Sequence, residues 1–191
     1  ANLHSRLGIL SKFGLPYANL INRLVNRKCF QKRTWSDDFE FLYELGTNIY
    51  AYIFETHPKS KELFPFLLKY GDRWRESREF RSQALKFVQV LSRTVKNLYH
   101  MEQLPPMLYA IGERHCIYSH RGFVPEHWDV FLDAIEISLT SHISATPGLD
   151  EAQKTQAIEI WRTLSAYVIV HMKRGFLDGL QKVNSNGTMK Y

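Results

Sequence analysis

The sequence predicts an all-α protein. Apolar residues recur at steps of three or four along nearly the whole 191-residue chain, and clean alternation with a period of two is absent. Of the residues 45% are apolar and 23% are charged, a balance suited to one globular domain with a sizeable core. We therefore expect a single body of six or seven connected helices, arranged as a bundle or an orthogonal helical fold.

Prolines and a glycine predict where the first helices end. A first core helix runs from about Leu24 to Asp38 and continues or turns into a second that ends before Pro58, because proline disfavours helix in the residue before it. The segment Lys59–Arg75 mixes apolar and aromatic residues with Pro65 and Gly71. That mixture is typical of an irregular corner rather than of a long helix.

The clearest periodicity lies in the middle of the chain. A helix from Arg78 to Leu98 is predicted by one apolar stripe: Phe80, Ala84, Phe87, Val88, Leu91, Val95 and Leu98. Pro105 and Pro106 suit the first turn of a short helix through His115, since proline at the first helical position loses no intrahelical bond.

Two further helices complete the predicted fold. One begins near Pro125 and is striped with Trp128, Phe131, Leu132, Ile135, Leu139 and Ile143. The last follows Pro147 and Gly148 and carries Ile158, Trp161, Leu164, Val168 and Met172. Residues 183–191 contain the polar run Asn184-Ser185-Asn186-Gly187 and are expected to form a flexible tail.

Positive charge is concentrated at the amino terminus. Residues 1–36 carry seven Lys and Arg and no Asp or Glu, so residues 37–191 sum to −1 in a chain of formal net charge +6. A short cationic arm argues against nucleic-acid binding, which needs positive charge spread over the domain surface. Residues 1–23 are interpreted as a basic amphipathic extension. Residues 1–36 suit an anionic membrane surface, an acidic protein partner, or packing against the chain's own core.

Several classes of protein are disfavoured. No spanning apolar stretch or secretory signal occurs, and Cys29 and Cys116 make no disulfide framework, so we expect a soluble cytoplasmic protein, at most peripheral to a membrane. The absence of an initiator Met suggests a piece of a longer protein. Common nucleotide, zinc, redox and hydrolase motifs are missing from the sequence. His115 and Cys116 are adjacent and would lie about 100° apart on a helix, an arrangement that does not suit tetrahedral zinc. No acid–base constellation argues for an enzyme.

The order and spacing of several landmarks resemble the globin family over about residues 24–181. They are Trp35, Pro58, Phe64 six residues later, the L-x-x-x-G-x-x-H run from Leu108 to His115, and Trp161. The stretch His115–Phe123, followed by Pro125 and Trp128, is particularly similar to the nematode branch. The resemblance implies a globin fold of six to eight helices around a pocket for haem b, with residues 24–182 as the globin domain.

The resemblance also implies the residues that hold the haem. His115 is the implied iron ligand, and the second nitrogen of its ring is expected to donate to a backbone carbonyl near Ile111. Gly112 is expected to let the flat macrocycle approach, and Lys86 to lie near a propionate. The resemblance also brings the helices that carry Gly46 and Ala84 into contact, where small residues allow a close crossing. The implied cofactor contacts are Phe64, Lys86, Phe87, Leu108, Ile111, His115, Phe123 and Trp128.

The implied gas site contains no distal histidine. Counting back 32 residues from His115 leads to Gln83, and Tyr50 lies fourteen residues before Phe64. This pair is similar to the oxygen pocket of several invertebrate globins, because a phenol O–H and an amide N–H both stabilise negative charge on oxygen. The resemblance therefore implies a globin that binds oxygen or another diatomic gas for sensing, storage or transport.

One alternative stays open at this point. A second protein side chain closing the sixth iron position would make the protein a redox sensor or an electron-transfer globin. His57 and His100 are the nearest candidates for that side chain in the sequence.

Overall fold

The computed structural model describes residues 33–98 and 100–186, which are helical and contain no strand. The α-helices of these ranges are α1 (Phe39–Thr56), α2 (Pro65–Tyr70), α3 (Arg78–Lys96), α4 (Leu104–Arg114), α5 (His127–Ala145) and α6 (Glu151–Asn186). Short 3-10 segments join them at Pro58–Leu63, Gly71–Glu76, Met101–Gln103 and His115–Arg121. The predicted all-α class is confirmed, as is the irregular corner between Pro58 and α3.

The helix predicted from Leu24 to Asp38 ends earlier than expected. Arg33 and Thr34 are helical, but the backbone leaves the helix at Trp35, and α1 begins only at Phe39. Ser36 Oγ accepts a hydrogen bond from the backbone N–H of Asp38 at 3.0 Å. Such local side-chain bonds compete with the helical backbone bonds and favour a break. Residues 24–32 lie outside the described ranges, as does the extension assigned to residues 1–23.

The last helix is longer than predicted. It continues to Asn186, four residues into the stretch that we assigned to a flexible tail. Lys182 near its end donates a 2.6 Å hydrogen bond to Glu113 at the end of α4, and Leu180 packs against the core. These contacts hold the end of α6 against the body of the protein. Residues 187–191 lie outside the described ranges.

Glycines allow two pairs of helices to cross closely. A Cβ at Gly46 would lie 2.9 Å from the carbonyl oxygen of Ala84, so α1 and α3 meet at the predicted small residues. A Cβ at Gly112 would overlap the backbone carbonyl of Met172 on α6. The interpretation of Gly112 as room for a macrocycle is therefore wrong. Gly112 lies three residues before His115, so its position around the helix axis differs from that of His115 by about 60°. Gly112 therefore faces α6.

The packing brings distant sequence landmarks together. The indole ring of Trp35 stacks on that of Trp161 with 5.0 Å between centroids, and Trp161 Nε1 donates to Thr34 Oγ1 at 3.1 Å. Helix α1 packs on α3 and α5, and α6 packs on α4 and α5. No helix in the described part of the chain is long and apolar enough to cross a membrane.

Candidate functional site

A cavity of about 470 Å³ lies between α1, α3, α4, α5 and the segments that join them. Most of its wall is aromatic or aliphatic, and its polar groups come from a few named side chains. The apolar wall comprises Leu63, Phe64, Pro65, Phe66, Phe87, Val90, Ile111, Phe123, Trp128, Phe131 and Met172. A concave apolar site with a few convergent polar groups is the usual form of a cofactor pocket.

Nine of the ten side chains that the sequence analysis selected line this cavity: Tyr50, Phe64, Gln83, Lys86, Phe87, Ile111, His115, Phe123 and Trp128. Leu108 is the exception. It lies two helical turns before His115, about 10 Å along the axis of α4, and its fully buried side chain belongs to the core rather than to the cavity wall.

His115 presents one ring nitrogen for a ligand. Its Nδ1 lies 2.8 Å from the backbone carbonyl oxygen of Ile111, the partner predicted one turn earlier. A carbonyl only accepts hydrogen bonds, so Nδ1 carries the proton and Nε2 keeps its lone pair. Burial lowers the pKa of His115, although the bond to Ile111 opposes the shift. A neutral imidazole with a free Nε2 is a suitable axial ligand for iron.

Aromatic side chains hold the His115 ring in place. Its centroid lies 5.1 Å from that of Trp128, 5.7 Å from that of Tyr118 and 5.9 Å from that of Phe123. The position of His115 at the start of the 3-10 segment, just after α4, keeps it attached to a rigid element. Together with the bond to Ile111, these contacts fix the orientation of the imidazole.

Tyr50 on α1 and Gln83 on α3 contribute polar groups to the same cavity. Gln83 Nε2 donates a 2.9 Å hydrogen bond to the Tyr50 hydroxyl, and Tyr50 is only 1% exposed. Burial raises the pKa of Tyr50, and the bond from Gln83 opposes that shift only in part. The phenol therefore keeps its proton at neutral pH. Five rings surround it with centroids 5.5 to 5.9 Å away: Phe54, Phe64, Phe80, Phe87 and Phe131.

Four exposed cations stand at the edge of the cavity. Lys86 was selected from the sequence, whereas Arg93, Arg114 and Arg121 were not. Arg93 lies seven residues, or two helical turns, after Lys86, so both side chains are on the same side of α3. This spacing could have identified Arg93 from the sequence. Arg114 and Arg121 come from α4 and the 3-10 segment after it, and only the tertiary structure brings them to the same opening.

The donor set fits a haem better than a metal ion held by protein alone. Among the described residues no group of three or more His, Cys, Asp and Glu could hold a metal. His115 is the one histidine in the described cavity wall, and His57 and His100 do not line it. A metal at His115 thus needs a cofactor that supplies the other ligands. The apolar wall suits a porphyrin, and the cations suit its two propionates.

Comparisons with known proteins agree with this geometry. The family model "Globin" matches residues 47–168, a range that contains every selected site residue. A solved structure described as a hexacoordinated heme protein from an anhydrobiotic tardigrade, at pH 4, is similar with a TM-score of 0.65 and 21% identity, over 87% of this chain and 98% of that chain. A search of curated proteins finds no match.

These comparisons differ in what they show. At 21% identity the likeness to the tardigrade protein concerns the fold alone, and neither comparison singles out the nematode branch. The family match, in contrast, covers well over half of the chain and includes the helices that carry Tyr50, Gln83 and His115. The chain belongs to the globin family.

Proposed function

We propose that this globin holds haem b with His115 Nε2 as the axial iron ligand and that it reversibly binds oxygen at ferrous iron. The observation that carries the proposal is the hydrogen-bonded pair of Tyr50 and Gln83 on the wall of the same cavity that His115 lines. This arrangement combines an iron ligand with two hydrogen-bond donors in a largely apolar space.

The chain's own residues supply the means of holding the cofactor. Phe64, Phe87, Phe123 and Trp128 offer apolar surface to the porphyrin faces and keep water from the iron. Lys86, which is exposed and lines the cavity, would pair with a haem propionate through a charge-assisted hydrogen bond. The tautomer of His115 is set by Ile111, so the ligand is ready before the haem arrives.

Tyr50 and Gln83 give the site its preference among gases. When bound, haem would supply a ferrous iron that takes up diatomic gases, and oxygen would acquire more negative charge there than carbon monoxide would. Because the Tyr50 oxygen accepts the bond from Gln83, the phenol proton is available to the gas. A hydrogen bond to a charged acceptor contributes about 1.5–3 kcal/mol, which is roughly one to two decades in affinity.

We propose that the site serves oxygen sensing, storage or transport. The described wall of the cavity has no carboxylate and no histidine besides His115. We place the protein in the cytoplasm, peripheral to a membrane if residues 1–36 bind an anionic surface.

The competing proposal is a six-coordinate redox or electron-transfer globin. The similar tardigrade protein is described as hexacoordinated, which gives this alternative its support. Against it, Tyr50, Gln83 and Phe87 line the cavity, and no histidine other than His115 does so in the described part of the chain. We therefore place it second.

Absorption spectra of the haem-loaded protein test both proposals. We expect one haem per chain, a ferrous spectrum that shifts reversibly with oxygen, and a ferric spectrum that responds to cyanide. A low-spin, six-coordinate iron that ignores carbon monoxide and cyanide would contradict the open oxygen site and favour the alternative. Failure to bind haem at all would contradict both.

A further inference from the structure

A second cavity, of about 560 Å³, lies between α1 and α5, and none of its described lining residues belongs to the cavity of His115. We name it the acidic groove; residues of α1 from Phe41 to Glu55 and of α5 from Ile137 to Ala145 line it. Its apolar side chains include Leu45 and Ile137, of which Ile137 is 46% exposed. The lining residues of α1 extend over about 21 Å, which is long enough to take a segment of chain.

The two helices that form the acidic groove contain no Lys or Arg. α1 has 18 residues and α5 has 19, and their charged residues are Glu40, Glu44, Glu55, Asp129, Asp133 and Glu136. Each of the other α-helices in the described part of the chain contains at least one Lys or Arg. The pairing of α1 with α5 therefore concentrates negative charge on one side of the body.

Cations of the body neutralise only part of the charge at the acidic groove. Arg75, which also lines it, lies 3.7 Å from Glu55, and both side chains are exposed, so the pair is weak. Glu44 forms no ion pair with a described Lys or Arg. Burial lowers the pKa of His142 in the groove, and the charge of Glu44 opposes that shift. The acidic groove therefore favours a cationic occupant.

The amino-terminal extension, residues 1–23, has a composition complementary to the acidic groove. It contains no Asp or Glu, and its cations are Arg6, Lys12 and Arg23. Leu3, Leu7 and Leu10 recur at steps of four and three, a spacing that groups apolar side chains on one side of a helix. A basic amphipathic segment is the kind of partner that an apolar groove with acidic edges binds.

The described chain begins beside one end of the acidic groove. The ring of Trp35 packs on that of Phe41 with 5.3 Å between centroids, and Phe41 lies 4.9 Å from the ring of His142. Phe41 and His142 both line the groove. Residues 24–32 join the extension to Arg33 and would span about 14 Å as a helix or about 30 Å when extended. The extension is therefore able to reach the whole groove.

We propose that residues 1–23 dock in the acidic groove, with their cations near Glu44 and Glu55 and their leucines on its apolar side chains. A segment of the same chain is present at an effective concentration on the order of millimolar, so weak charge pairs and a small apolar contact are enough to hold it. An anionic surface or an acidic partner would then have to displace the extension from the groove. The docking involves no haem and goes beyond the proposed oxygen function.

Cleavage of the full chain by chymotrypsin tests the docking. Chymotrypsin cuts after aromatic residues, and the extension contains Phe13 and Tyr17, so charge substitutions leave these sites intact. We expect Glu44→Gln with Glu55→Gln to raise the rate of cleavage in the extension about threefold or more at low salt, in keeping with the modest strength of exposed charge pairs. Salt at about 0.5 M should bring the parent protein close to this variant, because screening is then strong.

A matched control removes the same charge from elsewhere. Glu62→Gln with Glu79→Gln changes two exposed carboxylates that do not line the acidic groove, and it should leave the rate of cleavage as in the parent protein. An equal acceleration in this control would overturn the proposal, since net charge alone would then explain the effect. Equal rates in the parent and the groove variant would also overturn it.

A cross-link tests the contact directly. A carbodiimide condenses the Lys12 amine with a nearby carboxylate and forms an amide with loss of water. We expect mass spectrometry of the parent chain to show Lys12 joined to Glu44 or Glu55. Cross-links of Lys12 only to carboxylates outside the acidic groove would contradict the docking.

Two further measurements separate the possible failures. Glu44→Lys with Glu55→Lys should speed cleavage more than the neutral variant does, and the addition of Arg6→Glu with Lys12→Glu should restore protection; a swapped chain cleaved as fast as the reversed groove would overturn the proposal. Haem content and oxygen binding are measured on the same samples and should match the parent, because Glu44 and Glu55 do not line the cavity of His115. A chain that binds haem and oxygen but leaves its extension unprotected contradicts this inference alone.

Discussion

The side-chain amide of Gln83 donates a hydrogen bond to the phenol oxygen of Tyr50 across 2.9 Å. The bond joins α3 to α1 and makes one polar centre out of two residues that lie 33 positions apart. The direction of this bond matters. The phenol oxygen accepts from Gln83, so the phenol O–H can donate to a bound ligand. The five surrounding aromatic rings hold that phenol in one place.

Tyr50→Phe should speed the release of oxygen. Removal of a donor to a charged acceptor costs about 1.5–3 kcal/mol, so we expect the oxygen dissociation rate to rise roughly 10- to 100-fold. The rate for carbon monoxide should change by less than about threefold, and flash photolysis with stopped flow measures both. Tyr52→Phe, also on α1 but outside the cavity wall, is the matched control. Equal effects on the two gases would mean that Tyr50 acts by bulk.

The contribution of Tyr50 should not vary with pH over a wide range. Burial raises the pKa of Tyr50 above the ordinary value of 10.0, so the neutral donor persists where an exposed tyrosine begins to ionise. We expect the oxygen dissociation rate to stay constant between pH 6 and pH 10. A rise in that rate with a midpoint below pH 10, present in the parent protein and absent from Tyr50→Phe, would contradict this assignment.

His115→Gly should abolish the native haem spectrum. The variant removes the only described histidine in the cavity wall, so iron loses its axial protein ligand. Added imidazole should restore much of the spectrum, because the substitution leaves space for it. His120→Gly, in the same 3-10 segment but not lining the cavity, should keep the parent spectrum. An unchanged spectrum for His115→Gly without imidazole would exclude His115 as the ligand.

Gly112→Ala should destabilise the fold more than Gly46→Ala does. The added methyl group would overlap the Met172 carbonyl in the first case and lie 2.9 Å from the Ala84 carbonyl in the second. Overpacking of this kind costs about 1–3 kcal/mol, or more where backbone must move. Urea unfolding of the two variants measures the difference. A Gly112→Ala protein as stable as the parent would show that α4 and α6 can separate easily.

The basic arm should bring the protein to anionic vesicles at low salt. Each Lys or Arg near such a surface contributes roughly 1 kcal/mol, and Arg6, Lys12 and Arg23 lie in the predicted extension. Co-sedimentation should fall for a full-length Arg6→Gln, Lys12→Gln, Arg23→Gln variant and for a chain that starts at Asn26. If the full parent chain fails to bind even at low salt, packing or a protein partner explains the arm instead.

Features that depend on short spacing along the chain could be predicted from the residues alone. Helical periodicity predicted the helices and prolines predicted their limits. The bond from His115 to Ile111 follows from a separation of four residues across the end of α4. Tyr50 and Gln83 could be placed in the cavity because each lies at a fixed distance along the chain from a landmark, Phe64 or His115. These relations follow from the chain's local geometry and from family resemblance, which a linear sequence records.

Contacts between distant segments, in contrast, depend on how the helices pack. Gly112 faces α6 because the crossing of two helices, and not its distance from His115, sets its neighbour. Arg114 and Arg121 join Lys86 and Arg93 at one opening because α4 and α3 flank the same cavity. The bond from Gln83 to Tyr50, and the rise in the pKa of Tyr50, depend on desolvation by rings from several elements. Such burial is a property of the assembled body, so no single segment of the sequence encodes it.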